Sequence, residues 1–73
     1  MAYHFILEHR SKGPYTGLDR DKGGDLIPTF KHSIARNDFE VRQFTSRPEA
    51  ERELAKVGRT VPGCYIVPVK GQG

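Results

Sequence analysis

The stretch SRPEAERELAKVG, residues 46–58, predicts the helix on which the rest of the fold depends. Ser46 is a candidate N-cap, and Glu49 follows it by three residues, which is the spacing of a reciprocal capping box. Pro48 falls in the first turn, where its missing N–H costs little. Gly58 stands where helices commonly end in a left-handed residue.

The apolar face of this helix is narrow. Ala50, Leu54 and Val57 recur at i, i+4 and i+7 and give a single apolar stripe. A short helix with so little apolar surface is not stable alone in water. We therefore expect it to cover one face of a β-sheet.

Two strands are predicted at the two ends of the chain. Alternating apolar residues within residues 2–10 predict the first strand, with one side formed by Tyr3, Phe5 and Leu7. The segment CYIVPV, residues 64–69, predicts the last strand. Because Pro68 has no N–H to donate to a neighbour, this strand is expected either to lie at an edge of the sheet or to end near Pro68.

A β-hairpin is predicted between the first strand and the helix. Residues 29–36 and 39–44 are expected to pair through a turn at Asn37-Asp38, since Asn and Asp tolerate positive φ. On the later strand, Phe39 and Val41 would share a face.

Together these elements predict an α+β fold. It is a small antiparallel sheet of three to four strands with one helix packed on one face, in the order β-loop-β-hairpin-α-β. A chain of 73 residues supports a single core, so residues 1–73 are expected to form one domain. Residues 11–28 are expected to be a long flexible loop, and residues 70–73 a disordered tail.

The predicted loop contains GPYTGLDRDKGGDLIP, residues 13–28, whose aspartates invite comparison with a calcium-binding loop. Counting from Asp19, Phe30 stands at the twelfth position, where such loops carry a bidentate glutamate. Arg20 and Lys22 also place positive charge among the supposed ligands. The glycine spacings of phosphate-binding loops do not occur either. The loop is therefore interpreted as a solvated connection or a docking element.

Candidate residues for catalysis or metal binding are few. Zinc needs about four closely spaced Cys or His ligands, and the chain offers only His4, His9, His32 and Cys64. His4 and His9 are five residues apart on a predicted strand and so point to opposite faces. Cys64 would need an adjacent base to act as a nucleophile, and a small core residue is its commoner role. We expect no enzymatic activity, metal or cofactor.

Basic residues are the remaining candidates for function. Twelve Lys and Arg against nine Asp and Glu give a formal charge of +3, which favours nucleic acid or an acidic protein surface as partner. The predicted partner-binding residues are Arg10, Lys12, Tyr15, Arg20, Lys22 and Arg42. Arginine with an interleaved tyrosine suits phosphate contact and base stacking, and it equally suits a protein interface. A solvated face without a partner is the third interpretation.

A protein partner is favoured over nucleic acid, which remains the alternative. No motif of a known nucleic-acid-binding module occurs, and Glu49, Glu51 and Glu53 on the helix would repel phosphates. The lone Cys64 and the lack of a signal peptide favour the cytoplasm, and the short apolar runs predict no membrane span. We expect a monomer.

The segments FEVRQFTSRPEAERELAKVG (39–58) and CYIVPV (64–69) resemble the second half of many small phage and bacterial proteins, in which a strand leads through Ser/Thr-x-x-Glu-Ala into a helix. With its length, basic charge and β-rich core, the chain is similar to small phage-encoded transcription regulators, of the kind found in a Xanthomonas phage. The resemblance implies binding to host RNA polymerase in the host cytoplasm, inhibition of initiation and promotion of antitermination. It implies no particular site residue.

Overall fold

The computed structural model describes residues 3–70, which form a four-stranded antiparallel sheet and one helix. Its elements are β1 (Tyr3–His9), β2 (Gly13–Arg20), β3 (Leu26–Phe30), α1 (Arg47–Gly58) and β4 (Cys64–Lys70). The strand order is β3-β2-β1-β4, and the predicted α+β fold is confirmed. Ala2, the first residue of the predicted N-terminal strand, lies outside the described residues.

β1 is a central strand with unequal neighbours. It pairs with β4 along its whole length. It pairs with β2 only at Glu8↔Pro14 and His9↔Gly13, next to the turn that joins the two strands. Beyond these pairs β2 diverges from β1. β4 is an edge strand, as Pro68 predicted.

The gap between β1 and β2 is filled by backbone from residues 42–44. The Arg42 N–H donates to the Tyr15 carbonyl at 3.0 Å. Phe44 and Phe5 exchange two backbone hydrogen bonds, of 2.9 and 2.8 Å. This short segment therefore bonds to both strands without forming a strand of its own.

The predicted hairpin around Asn37-Asp38 is wrong. Residues 31–41 form instead a strap of turns and irregular backbone that crosses the sheet face opposite α1. Val41 is 2% exposed, whereas Phe39 is 90% exposed, so the two do not share a face. The strap packs on the sheet through Ile34 and Val41. From Ile34 to Val41 its backbone hydrogen bonds are those of local turns, although the alternation of apolar and polar residues there resembles that of a strand.

Two hydrophobic clusters lie on the two faces of β1. The cluster on the helix side consists of Leu7, Tyr15, Phe44, Ala50 and Val57. The cluster under the strap consists of Ile6, Val41 and Val67. Successive residues of β1 enter different clusters because side chains alternate across a strand.

The helix follows its prediction closely at its start and less closely at its end. The Ser46 side chain accepts the Glu49 N–H at 3.4 Å, as an N-cap does. The Glu49 carboxylate accepts from the Thr45 hydroxyl at 3.2 Å, which takes the place of the reciprocal half of a capping box. Gly58 is the last helical residue, and Arg59 caps the helix in right-handed conformation. The left-handed ending expected at Gly58 is therefore wrong.

The long flexible loop predicted at residues 11–28 is also wrong. This segment holds β2 and the start of β3, joined by a turn at residues 21–25. The sequence conceals these strands because their outer halves are exposed on both faces and because a bulge at Gly17 interrupts the alternation. Of the predicted tail, Lys70 is the last residue of β4, and residues 71–73 lie outside the described residues.

Candidate protein interface

The outer half of the β2–β3 hairpin, residues 18–27, projects from the body of the protein, and we call it the arm. All of its residues are exposed. At about 3.4 Å per residue, Gly13 and Arg20 at the two ends of β2 lie about 24 Å apart. The molecule measures 42 × 25 × 20 Å, and its radius of gyration is 12.0 Å, where a compact chain of this length has about 11 Å.

The tip of the arm is an ordered turn. The Asp21 carboxylate accepts the N–H groups of Gly23 and Asp25, both at 2.9 Å. Gly24 adopts the positive φ of 86° that the turn requires. The Arg20 guanidinium donates to the Gly24 carbonyl at 2.9 Å. The segment is therefore pre-organised, because its turn is closed by its own side chains.

A bulge at the base of the arm sets its direction. The register of β2 against β3 shifts between Tyr15 and Gly17, and Gly17 has a φ of 133°. The Thr16 and Thr29 hydroxyls lie 2.8 Å apart across the hairpin, and Thr29 also donates to the Gly17 carbonyl at 3.0 Å. Bulges bend a strand and increase its twist, which is consistent with the divergence of β2 from β1.

Three apolar side chains of the arm are left in solvent. Leu18, Leu26 and Ile27 are 40%, 53% and 37% exposed. Strand alternation places Leu18 and Leu26 on the face toward α1 and Ile27 on the other face. Apolar residues grouped on an ordered projection are typical of a surface that binds another molecule.

A groove separates the base of the arm from α1. It is lined by Thr16, Leu18, Arg42 and Glu53, with Gly17 between the first two. Arg42 reaches the same groove from residues 42–44, the segment that fills the gap between β1 and β2. The groove therefore joins an apolar side chain of the arm to a cation and a carboxylate of the body.

Tyr15 lies beneath this groove and belongs to the core. It is 0% exposed, and its hydroxyl donates to the Glu53 carboxylate at 2.7 Å. Burial, followed by the bond to Glu53, raises the pKa of Tyr15 well above its ordinary value. Its predicted role as an exposed, partner-binding side chain is incompatible with this burial.

The predicted basic residues do not form one surface. Arg10 and Lys12 lie in the turn between β1 and β2, whereas Arg20 and Lys22 lie at the far end of β2. Arg42 lies at the base of the arm, between these two positions. The sequence predicted a flexible loop between the two pairs, and such a loop could bring them together. β2 instead holds them at its two ends.

The arm is not basic. Residues 18–27 contain two cations, Arg20 and Lys22, and three carboxylates, for a net charge of −1. Its surface is therefore a mixture of alternating charges and apolar side chains.

Sequence reasoning missed the apolar part of the arm and the exposed ring of Phe39. Leu26 and Ile27 stand side by side in an otherwise polar segment, and this pair is the signal that could have identified them. Phe39 gives no such signal, because its exposure depends on the path of the strap.

A second cluster of functional groups joins the strap to the sheet. Glu8, 9% exposed, accepts two hydrogen bonds from the Arg36 guanidinium, at 2.8 and 2.9 Å. The Tyr65 hydroxyl donates to the same carboxylate at 2.6 Å. The bond from Arg36 lowers the pKa of Glu8, and burial opposes it. Because the donors around this carboxylate are part of the protein itself, we interpret the cluster as a structural clamp.

Cys64 and the histidines do not form a catalytic or metal-binding group among residues 3–70. Burial raises the pKa of Cys64, which lowers the fraction of reactive thiolate. The unbroken strand β1 places His4 and His9 on opposite faces, as predicted. Within residues 3–70, no three His, Cys, Asp or Glu side chains come together as a metal site would require.

Comparison with known proteins gave no relative: no family description, no curated protein and no solved structure matches this chain. Within residues 3–70, the helix lacks the length and apolar character of a membrane span.

Proposed function

We propose that this chain is a non-enzymatic, phage-type regulator that binds host RNA polymerase, and that it docks through the arm. Binding would inhibit transcription initiation, promote antitermination, or do both. The observation that supports docking is the arm itself, a pre-organised hairpin whose Leu18, Leu26 and Ile27 are exposed. The polymerase as partner is supported by the similarity of the chain, in its length, basic charge and β-rich core, to small phage-encoded transcription regulators.

The surface of the arm suits a protein better than a nucleic acid. Its net charge is −1, which phosphates would repel. Apolar side chains surrounded by mixed charges are the usual composition of a protein interface, with an apolar centre and a polar periphery.

The partner would contact side chains of the arm and not its backbone edge. Lys31 directs its N–H inward, to the Pro14 carbonyl at 3.1 Å. Backbone groups alternate in direction along an antiparallel strand, so the groups of Pro28 point outward. Because proline has no N–H, the outer edge of β3 lacks a donor at its centre.

A direct binding measurement with purified bacterial RNA polymerase tests this function. The double variant Leu26→Glu/Ile27→Glu should bind at least about tenfold more weakly, because central apolar contacts carry much of an interface's affinity. Tyr3→Glu/Phe39→Glu is the matched control: it places the same two charges on apolar residues outside the arm, which are 56% and 90% exposed, and it should bind as the wild type does.

Wild-type protein that binds no polymerase would contradict the proposed partner. Arm and control variants of equal affinity would contradict the proposed interface. Single-round transcription through a terminator, with and without the protein, then separates inhibition of initiation from antitermination.

A further inference from the structure

Three turns meet at the end of the molecule opposite the tip of the arm. β1 and β3 end here, and β2 and β4 begin here. The three segments are residues 9–13, 31–33 and 58–63, and we call them together the basic end. They carry Arg10, Lys12, Lys31 and Arg59 and contain no Asp or Glu.

His9 connects two of these turns. Its Nε2 lies 3.1 Å from the Pro62 carbonyl, which accepts its proton. Its Nδ1 accepts the N–H groups of Ser11 and Lys12, at 3.1 and 3.2 Å. The turn that carries Arg10 and Lys12 is therefore fixed to the turn that follows α1.

Gly13 brings the third turn into contact. It has a φ of 87°, and a Cβ placed on it would lie 2.8 Å from the Lys31 carbonyl oxygen and 3.0 Å from the His32 Cα. Only glycine permits this approach without displacement of the neighbouring backbone. The basic end is consequently a packed surface formed by segments distant in sequence.

Three of its cations are uncompensated. Arg10, Lys12 and Arg59 are exposed and have no carboxylate within ion-pair distance among residues 3–70. Lys31 differs, because its ammonium lies 2.6 Å from the Glu40 carboxylate. The basic end therefore presents three free positive charges.

The chemistry of this surface fits a phosphate backbone. None of the large exposed apolar residues of residues 3–70 lies in its three segments, so it lacks the apolar centre of a protein interface. It also has no Phe, Tyr or Trp, which single-stranded bases would need for stacking. Cations without an apolar centre or aromatic rings suit contacts to phosphates, and such contacts carry no sequence information.

We propose that the basic end binds the phosphate backbone of a nucleic acid duplex without sequence preference. The arm and the basic end lie at opposite ends of β2, so one chain can hold a protein and a duplex at the same time. This binding is independent of the function proposed for the arm.

The test is fluorescence anisotropy with a labelled DNA duplex of about 20 base pairs at several salt concentrations. Three phosphate contacts predict a slope of about −2.7 in log K against log salt, so affinity falls about 40-fold between about 50 and 200 mM NaCl. The triple variant Arg10→Gln/Lys12→Gln/Arg59→Gln should lose nearly all of this salt dependence and bind at least about tenfold more weakly at the lower salt.

The matched control is Lys22→Gln/Arg52→Gln/Lys56→Gln, which removes the same charge from the arm and the outer face of α1. Its slope of log K against log salt should equal that of the wild type. The proposal is overturned if wild-type protein does not bind the duplex at low salt, or if the control loses as much affinity as the triple variant. Polyglutamate that competes as well as the duplex would also overturn it, since the surface would then recognise acidic protein. Thermal unfolding of each variant confirms that the fold is kept.

Discussion

The carboxylate of Glu8 is a single group that holds two parts of this small fold together by hydrogen bonds. Its Arg36 partner approaches with two nitrogens, and Tyr65 adds a third donor. The three residues come from β1, the strap and β4, so their bonds fix the strap to the sheet. The strap has only Ile34 and Val41 as apolar contacts with that face, which makes the clamp important for its position.

Substitution of Glu8 by Gln should destabilise the protein by about 1–3 kcal/mol, because a buried group loses charge-assisted hydrogen bonds. Urea unfolding at neutral pH measures this change. Glu40→Gln is the matched control, since it removes an ion pair to Lys31 that is even shorter, at 2.6 Å, but exposed. Exposed pairs contribute little to stability, so this variant should differ from the wild type far less than Glu8→Gln does.

The clamp also predicts a dependence of stability on pH. The bond from Arg36 lowers the pKa of Glu8 below its ordinary value of 4.5. A carboxyl whose pKa is lower in the folded state stabilises that state above the ordinary pKa, and this contribution is lost as the pH falls through the folded pKa. The difference in free energy of unfolding between wild type and Glu8→Gln should therefore narrow below about pH 4.5. A difference that stays constant down to pH 3 would show that the charge of Glu8 is not what stabilises the fold.

Among the elements, the helix could be predicted from sequence and the β2–β3 hairpin could not. The helix begins with a local signal, because Ser46 bonds a backbone group only three residues away. Strand pairing depends instead on distant partners, and in the arm neither face is buried to impose an alternation. For the same reason the sequence does not show that Arg10 and Lys12 lie far from Arg20 and Lys22, since β2 separates the two pairs.

Two glycines of the hairpin provide a matched test of how the turns are packed. Gly13 and Gly24 have nearly the same φ, 87° and 86°. A Cβ on Gly24 would meet nothing within 4 Å, whereas one on Gly13 would collide with the Lys31 carbonyl. Gly24→Ala should cost about 1 kcal/mol of backbone strain, and Gly13→Ala should cost about 2–4 kcal/mol because the neighbouring turn must also move. Urea unfolding of the two variants should thus give clearly different midpoints. Equal midpoints would mean that the turn at residues 31–33 can move away from Gly13 without loss of stability.

At the scale of the whole molecule, the mixed charged and apolar surface of the arm and the cationic surface of the basic end lie at opposite ends of the sheet. The arm carries three aspartates among its charges, whereas the three turns at the other end carry no carboxylate. β2 runs from one end to the other, so it sets the distance between the two surfaces. A regulator built in this way would bind a protein at the arm and a duplex at the basic end through separate contacts.

The same sheet has two open edges, and both are blocked by proline. Phe5 directs its N–H and carbonyl toward Phe44, so its partner Pro68 directs its own backbone groups to the outer edge of β4. Pro28 likewise directs its backbone groups to the outer edge of β3. Edge strands with free donors tend to pair with other chains, and proline prevents this.

The double variant Pro28→Thr/Pro68→Thr restores an outward N–H to the centre of each edge and should associate with itself. Sedimentation velocity should show a monomer for the wild type and a dimer or larger species for the variant, increasing with concentration. Ile27→Thr is the control, because it introduces the same residue in β3 at a position whose backbone groups point inward. If the double variant remains monomeric, the prolines are not what prevents these two edges from pairing.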